Sequence, residues 1–180
     1  MKVKLRHFFG IVLGLLIIVG NYILLLDTRW FKPVILIGIL VKLTSRGPMF
    51  YAQERMGLDG KSFQMWKYRS MKIGAESETG AVWAQEDDPR RTAFGSFLRS
   101  TSLDELPQLV NVLHGDMSLV GPRPLYTEYL MYYNDKEKTR HNVKPGMTGI
   151  AQVTGRNAID WGERLMYDVY YVERVSFWLD

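Results

Sequence analysis

Residues 99–124 read RSTSLDELPQLVNVLHGDMSLVGPRP, and the way this run is parsed decides the architecture around it. Thr101 and Ser102 precede two adjacent carboxylates, Asp104 and Glu105, and Pro107 follows them. A polar cap, acids in a first turn and a proline where no backbone N–H is needed predict the start of a helix. Leu106, Leu109, Val110 and Leu113 continue at helical spacing, and Gly115 supplies the stop. Ser102-x-x-Glu105 matches a capping box, and Asp104 is an alternative N-cap, so both acids have a purely structural reading. Arg99 before the pair and Arg123 after it, set between Pro122 and Pro124, support a second one. A carboxylate kept ionised at a helix N-terminus, with guanidinium forks close by, suits phosphate chemistry.

The surrounding chain narrows the choice. Its 180 residues suffice for one domain with a sizeable core, and 47% hydrophobic content is ordinary. The absence of cysteine excludes a disulfide framework and thiolate catalysis, and fits a reducing compartment. The net charge of +4 is unevenly spread. Residues 1–60 hold eight Lys/Arg against three Asp/Glu, whereas residues 61–180 hold fifteen against sixteen. Positive charge therefore flanks the apolar N-terminal segment, which points to an anionic membrane surface. No basic stripe runs through the remainder, which argues against nucleic acid as a partner.

Phe8 to Leu26 is free of charge, and its 19 residues would extend about 28 Å as a helix, close to a bilayer core of roughly 30 Å. No small-x-small cleavage site follows it, so it reads as a retained membrane segment rather than a signal peptide. Gly10 and Gly14 form a GxxxG pair of the kind found where membrane helices associate, a motif of little weight because glycine is common there. Asp27 to Pro33 then interrupts with charges and a proline, and the next apolar run, Val34 to Val41, is too short to span. Basic residues at both ends of 1–46 prefer the cytoplasmic side. Two topologies satisfy this: a re-entrant hairpin, or a single span followed by an interfacial helix.

Met49–Arg55 and Ser62–Arg69 read as two strands joined around Gly57–Gly60, a hairpin from which Arg55, Lys67 and Arg69 reach one site. The period of two puts Lys67 and Arg69 on one face. Residues 74–89 read as a solvated loop whose Glu76, Glu78, Glu86, Asp87 and Asp88 lack metal-ligand spacing. Residues 90–99 and 126–133 are helix candidates, Ile150–Val153 a short strand, and Asp160–Arg174 a helix with Leu165, Val169 and Val172 on one face. Residues 177–180 break off mid-pattern, which reads as a truncated end. The fold class is α/β, a mainly helical α+β arrangement with a β-hairpin, interfacial helices and an N-terminal re-entrant or single-span membrane helix. A membrane-anchoring segment over 1–46 precedes one small domain over 47–180. There is no Walker loop, dinucleotide GxGxxG or HExxH motif, and His7, His114 and His141 pair with no nucleophile at a telling spacing.

Three runs together, STSLDELPQLVNVLHGDMSLVGPRP, QERMGLDGKSFQMWKYRSM and RHNVKPGMTGIAQVTGRNAI, resemble the bacterial sugar transferases, the monotopic polyprenyl-phosphate phosphoglycosyl transferases, from Lys42 to Asp180. That resemblance implies transfer of a sugar-1-phosphate from a UDP-sugar to undecaprenyl phosphate, the first membrane step of exopolysaccharide, capsule, O-antigen or glycoconjugate synthesis. It implies Asp104 as the nucleophile that becomes a covalent aspartyl phosphosugar, and Glu105 as a base or Mg²⁺ partner, so that Asp104 and Glu105 are the metal-ligand candidates. Arg99, Arg123, Lys67 and Arg69 match positions that bind the phosphates. Anionic lipids are expected partners, a homodimer is among the assemblies allowed, and the catalytic domain is expected on the cytoplasmic face of the bacterial inner membrane. The family usually places a Ser-Pro break between two apolar arms, where this chain has Lys32-Pro33. A catalytically inactive membrane scaffold is the rival reading. Glycoside hydrolysis fares worse, because adjacent acids cannot readily flank a glycosidic bond at separations of about 5–9 Å.

Overall fold

The computed structural model describes residues 31–75, 88–155 and 159–180, and it shows a small α/β fold with a β-hairpin and several helices. Helix α1 runs over Phe31–Thr44. Pro33, expected to interrupt, lies inside it near the start, where a missing N–H costs least. No helix among the described residues is long and apolar enough to cross a membrane. The Phe8–Leu26 run, the Gly10/Gly14 pair and loop acids Glu76 to Asp87 lie outside the described residues. A division into compact units falls between Leu40 and Val41, and the elements below all belong to the second unit.

Strands β1 (Phe50–Met56) and β2 (Ser62–Tyr68) pair antiparallel, with Phe50 opposite Tyr68 and Met56 opposite Ser62. The turn closes where Gly57 donates its N–H to the Lys61 carbonyl at 2.8 Å. Asp59 and Gly60 take φ of +55° and +69°, a left-handed pair that Asp tolerates and Gly accepts freely. Helix α2 (Ala93–Ser100) is capped by Thr92, whose hydroxyl accepts the Gly95 N–H at 2.9 Å. A Cβ at Gly95 would meet the Ser70 carbonyl oxygen at 1.9 Å, so glycine lets this helix lie directly on the chain leaving β2.

The 99–124 run departs from its expected form. The helical turn that holds the acids is a separate 3-10 turn, Leu103–Glu105, and α3 (Gln108–His114) starts only after Pro107. Ser102 sits at φ +58°, a left-handed conformation, and its side chain caps nothing. The capping box is therefore absent here. Gly115 ends α3 as expected, at φ +94° with its N–H on the Asn111 carbonyl at 3.0 Å.

Strands β3 (Ser118–Val120) and β4 (Gly146–Thr148) form a parallel pair, Ser118 opposite Gly146 and Val120 opposite Thr148. Their crossover holds a 3-10 helix over Thr127–Tyr132, a single-turn helix α4 (Asp135–Lys138) and a 3-10 turn over Thr139–Asn142. Ile150–Val153, expected as a strand, belongs to helix α5 (Ile150–Thr154). The pairing partner of β3 is the preceding Gly146–Thr148, and the Gln152 amide folds back onto the Met147 carbonyl at 3.0 Å, which suits a turn of helix. Helix α6 (Trp161–Arg174) starts at Asp160, whose carboxylate accepts the Glu163 N–H at 2.8 Å. Its Leu165 packs with Leu125 and Tyr133, and Tyr129 and Leu130 close around them. Each such buried leucine contributes about 1.5–3 kcal/mol, which holds the crossover against α6.

Candidate active site

The acid pair is brought to the hairpin by Asn111. This residue is 2% exposed in α3; its amide oxygen accepts the Trp66 N–H at 3.1 Å and its amide nitrogen donates to the Gln64 carbonyl at 2.8 Å. Asn111 thereby satisfies the β2 edge that β1 leaves open, a row of backbone groups that would otherwise need another strand. Docking α3 this way sets the 3-10 turn before it across β2. Lys67 lies two residues beyond buried Met65, so the strand pleat turns both to the same face, and the Lys67 Nζ reaches Glu105 Oε1 at 2.7 Å.

Arg123 meets the same oxygen from the other side, donating from Nη2 at 2.6 Å. Burial pushes the Glu105 carboxyl upward, but the Arg123 and Lys67 cations outweigh it and hold the group down at about 2. Asp104 behaves oppositely. It is 5% exposed and its carboxylate makes no hydrogen bond among the described residues. Burial raises its pKa, and the Lys67, Arg99 and Arg123 charges only partly offset this. The expectation that a helix N-terminus keeps Asp104 ionised needs correcting. With α3 starting at Gln108, the groups that favour the charged form of Asp104 are Lys67, Arg99 and Arg123, and burial outweighs them.

Arg99 extends from the last turn of α2, donates from Nε to the Ser70 hydroxyl at 2.9 Å, and lies near enough for its charge to act on Asp104. Arg69 goes elsewhere. It leaves the strand after Tyr68, is buried, and donates to the carbonyls of Pro48 at 2.6 Å and Ser45 at 2.9 Å, tying down the segment ahead of β1. Arg55 lies over the Tyr126 ring, 3.6 Å from its centroid, and donates to Gln53. The structure thus gathers Asp104, Glu105, Lys67 and Arg123, with Arg99 at the margin. Asp88 is buried rather than solvated, and two hydrogen bonds from the Arg90 guanidinium hold its carboxyl below the usual range.

Sequence reasoning missed two groups. Asn111 had a signal: it is a poor helix former between Val110 and Val112 in an otherwise apolar turn. The second is the buried pair of Arg140, in the 139–142 turn, and Asp168, in α6, joined at 2.8 Å. Asp168 stands three residues after Leu165 and one before Val169, a charge within the buried stripe, which marks it as paired.

Residues 5–180 match the model of the bacterial sugar transferase family. The chain is 48% identical over 141 residues to the sugar transferase EpsL of Bacillus subtilis, covering 78% of this chain and 68% of that one. It is 44% identical over 177 residues to the UDP-glucose:undecaprenyl-phosphate glucose-1-phosphate transferase of Klebsiella pneumoniae, covering 91% of this chain and 36% of that one. It is also 44% identical over 148 residues to the undecaprenyl-phosphate galactose phosphotransferase of Salmonella typhimurium, covering 74% and 31%. The chain spans about a third of the length of these last two relatives.

Proposed function

The chain belongs to the bacterial sugar transferase family, and from that premise we propose that it transfers a sugar-1-phosphate from a UDP-sugar to undecaprenyl phosphate through an aspartyl intermediate. One observation carries this reading: of two adjacent acids, one is engaged by two cations and the other is buried with its carboxylate unbonded. A carboxylate that accepts no hydrogen bond keeps its oxygens free for attack on phosphorus.

In the first step an Asp104 oxygen attacks the phosphorus that bears the sugar. The new P–O bond forms as the bond to the bridging oxygen breaks, and UMP leaves with that electron pair. In the second, an oxygen of polyprenyl phosphate attacks the same phosphorus, the bond to Asp104 breaks, and the lipid diphosphate sugar departs. Neither step needs a proton moved, because phosphate monoesters are largely ionised near pH 7. Glu105 accordingly has no required task as a base. Its role is to hold Lys67 and Arg123 where they face the diphosphate, with Arg99 near enough for its charge to act on Asp104.

Mg²⁺ fits this donor set. Asp104 is unbonded, Glu105 Oε2 takes part in neither ion pair, and no group of three or more His, Cys, Asp or Glu among the described residues could hold a metal alone. The two acids would hold the ion with oxygens of the substrate diphosphate, and it would supply charge neutralisation. The exposed apolar side chains of α1, Ile35, Leu36, Ile39 and Leu43, support placement at an anionic inner-membrane surface where a soluble nucleotide sugar and a lipid carrier meet. A panel of UDP-sugars, incubated with polyprenyl phosphate and Mg²⁺, tests the reading by UMP release. The wild-type chain should turn over at least one of them, and mass spectrometry should find a phosphosugar on Asp104. Normal turnover by Asp104→Asn would refute the covalent step.

A further inference from the structure

The loop that carries Arg123 is held at four backbone groups between Gly121 and Leu125. The Gly121 N–H donates to Thr148 at 2.9 Å, the Pro122 carbonyl accepts from Gly146 at 2.9 Å, and the Leu125 carbonyl accepts from Met56 at 3.1 Å. The fourth hold is the only one made by a side chain: Arg140 Nη2 donates to the Arg123 carbonyl at 2.7 Å. The same guanidinium donates to Asp168 Oδ2 from Nε at 3.0 Å and from Nη2 at 2.8 Å, and from Nη1 to the Tyr133 hydroxyl at 3.3 Å. Arg140 is 3% exposed and Asp168 4%.

Such a buried pair adds little to stability, because desolvating two charges takes back most of their attraction, and apolar residues would fill the space as well. What apolar residues could not do is grip a carbonyl. Pro122 and Pro124 fix φ on either side of Arg123, so the Arg140 bond settles the remaining orientation of that residue. The Arg123 guanidinium then points at Glu105.

We infer that Arg140 and Asp168 are a positioning pair for the transfer reaction, acting through the Arg123 carbonyl to aim the Arg123 guanidinium at the substrate diphosphate. The inference rests on the function proposed above. Neither residue touches the reacting atoms; a shift of about 1 Å in the group they aim is enough to cost on the order of 100-fold.

A double-mutant cycle separates positioning from general packing. Asp168→Asn keeps the shape but removes the charge that orients Arg140. It is expected to lower kcat/KM about 10- to 100-fold, mainly through kcat, while the melting temperature shows the protein folded. In the Arg123→Lys background, which keeps a positive charge but loses the fork, the same change should cost no more than about 3-fold. Equal losses in both backgrounds, or no loss in the wild type, overturn the inference. If Asp168→Asn does not fold, Arg140→Lys enters the same cycle with the same expectation, since an ammonium retains the pairing charge without the two-way fork. The wild-type rate is measured alongside: its absence refutes the functional reading, whereas additive losses with an active wild type refute only the positioning pair.

Discussion

The chain contains the same local pattern, a small polar residue followed three positions later by glutamate, at Ser102, Asn134 and Asp160, and the copies at Asn134 and Ser102 do different things. At Asn134–Glu137 the capping box forms in full. Asn134 accepts the Glu137 N–H at 2.9 Å and Glu137 accepts the Asn134 N–H at 2.9 Å, at the surface and at the head of α4. At Ser102–Glu105 no cap forms, because Ser102 is left-handed and Glu105 is drawn away by Lys67 and Arg123. A neutral cap bond is worth about 1 kcal/mol, whereas a half-buried carboxylate facing two cations gains more from them than from a backbone N–H. Where long-range partners exist they decide; where none is in reach, local chemistry does.

The largest expected effect lies beside the Ser102 copy. Asp104→Asn should lower UMP release by about 10⁴-fold or more, the scale of losing a covalent nucleophile, and leave the melting temperature nearly unchanged or raised, since a buried unbonded charge is removed. Next comes the pair of glutamates themselves. Glu105→Gln leaves Lys67 and Arg123 uncompensated, and should cost roughly 100-fold in kcat/KM and about 1–3 kcal/mol in stability, less than a fully buried pair because the Arg123 side chain is 36% exposed. Glu137→Gln should leave turnover unchanged. If the two changes behaved alike in a turnover assay, Glu105 would be no more than a surface cap.

The two acids of the site also separate by pH. Asp104 is raised by burial, so the acid limb of kcat/KM should lie above the ordinary aspartate range, with activity lost as pH falls through it. Glu105, held at about 2, should not titrate in that limb. For stability its sign is that of a depressed acid: the contribution is present above the unfolded value near 4.5 and lost as pH falls toward 2. His141 works in a higher window. Burial and the Arg140 charge lower it to about 4, so its neutral form favours the fold above the unfolded value near 6.5, and that contribution declines between there and 4. Denaturant unfolding from pH 7.5 to 4 should show a decline that His141→Phe flattens.

Much of this was legible in the sequence because it is local. Alternating strands around Gly57–Gly60, the glycine stop at 115 and the helical face of Leu165, Val169 and Val172 each declare themselves locally. The acid pair, Lys67 and Arg123 were legible as chemistry, and the structure brings them together. What stayed hidden depends on distant partners: Asn111 on β2 45 residues away, Arg140 on Asp168 28 residues away, and Arg69 on a loop carbonyl 24 residues away. Ile150–Val153 misled for a related reason. Four residues of mixed propensity fit strand or helix, and the pairing of Gly146–Thr148 with β3 left them helical.

The smallest effects discriminate most directly between the two polar residues that open the paired patterns. Asn134→Ala removes a working cap and should cost about 1 kcal/mol in denaturant unfolding, with turnover intact. Ser102→Gly removes no cap, since the hydroxyl makes none, and relieves a side chain at φ +58°. A left-handed non-glycine residue is strained by about 1 kcal/mol, partly offset because glycine loosens the unfolded chain, so the net should be a gain of a few tenths of a kcal/mol. The two substitutions therefore shift stability in opposite directions. If Ser102→Gly were as destabilising as a lost cap, the left-handed turn ahead of Asp104 would be wrong, and the capping box would stand in its place.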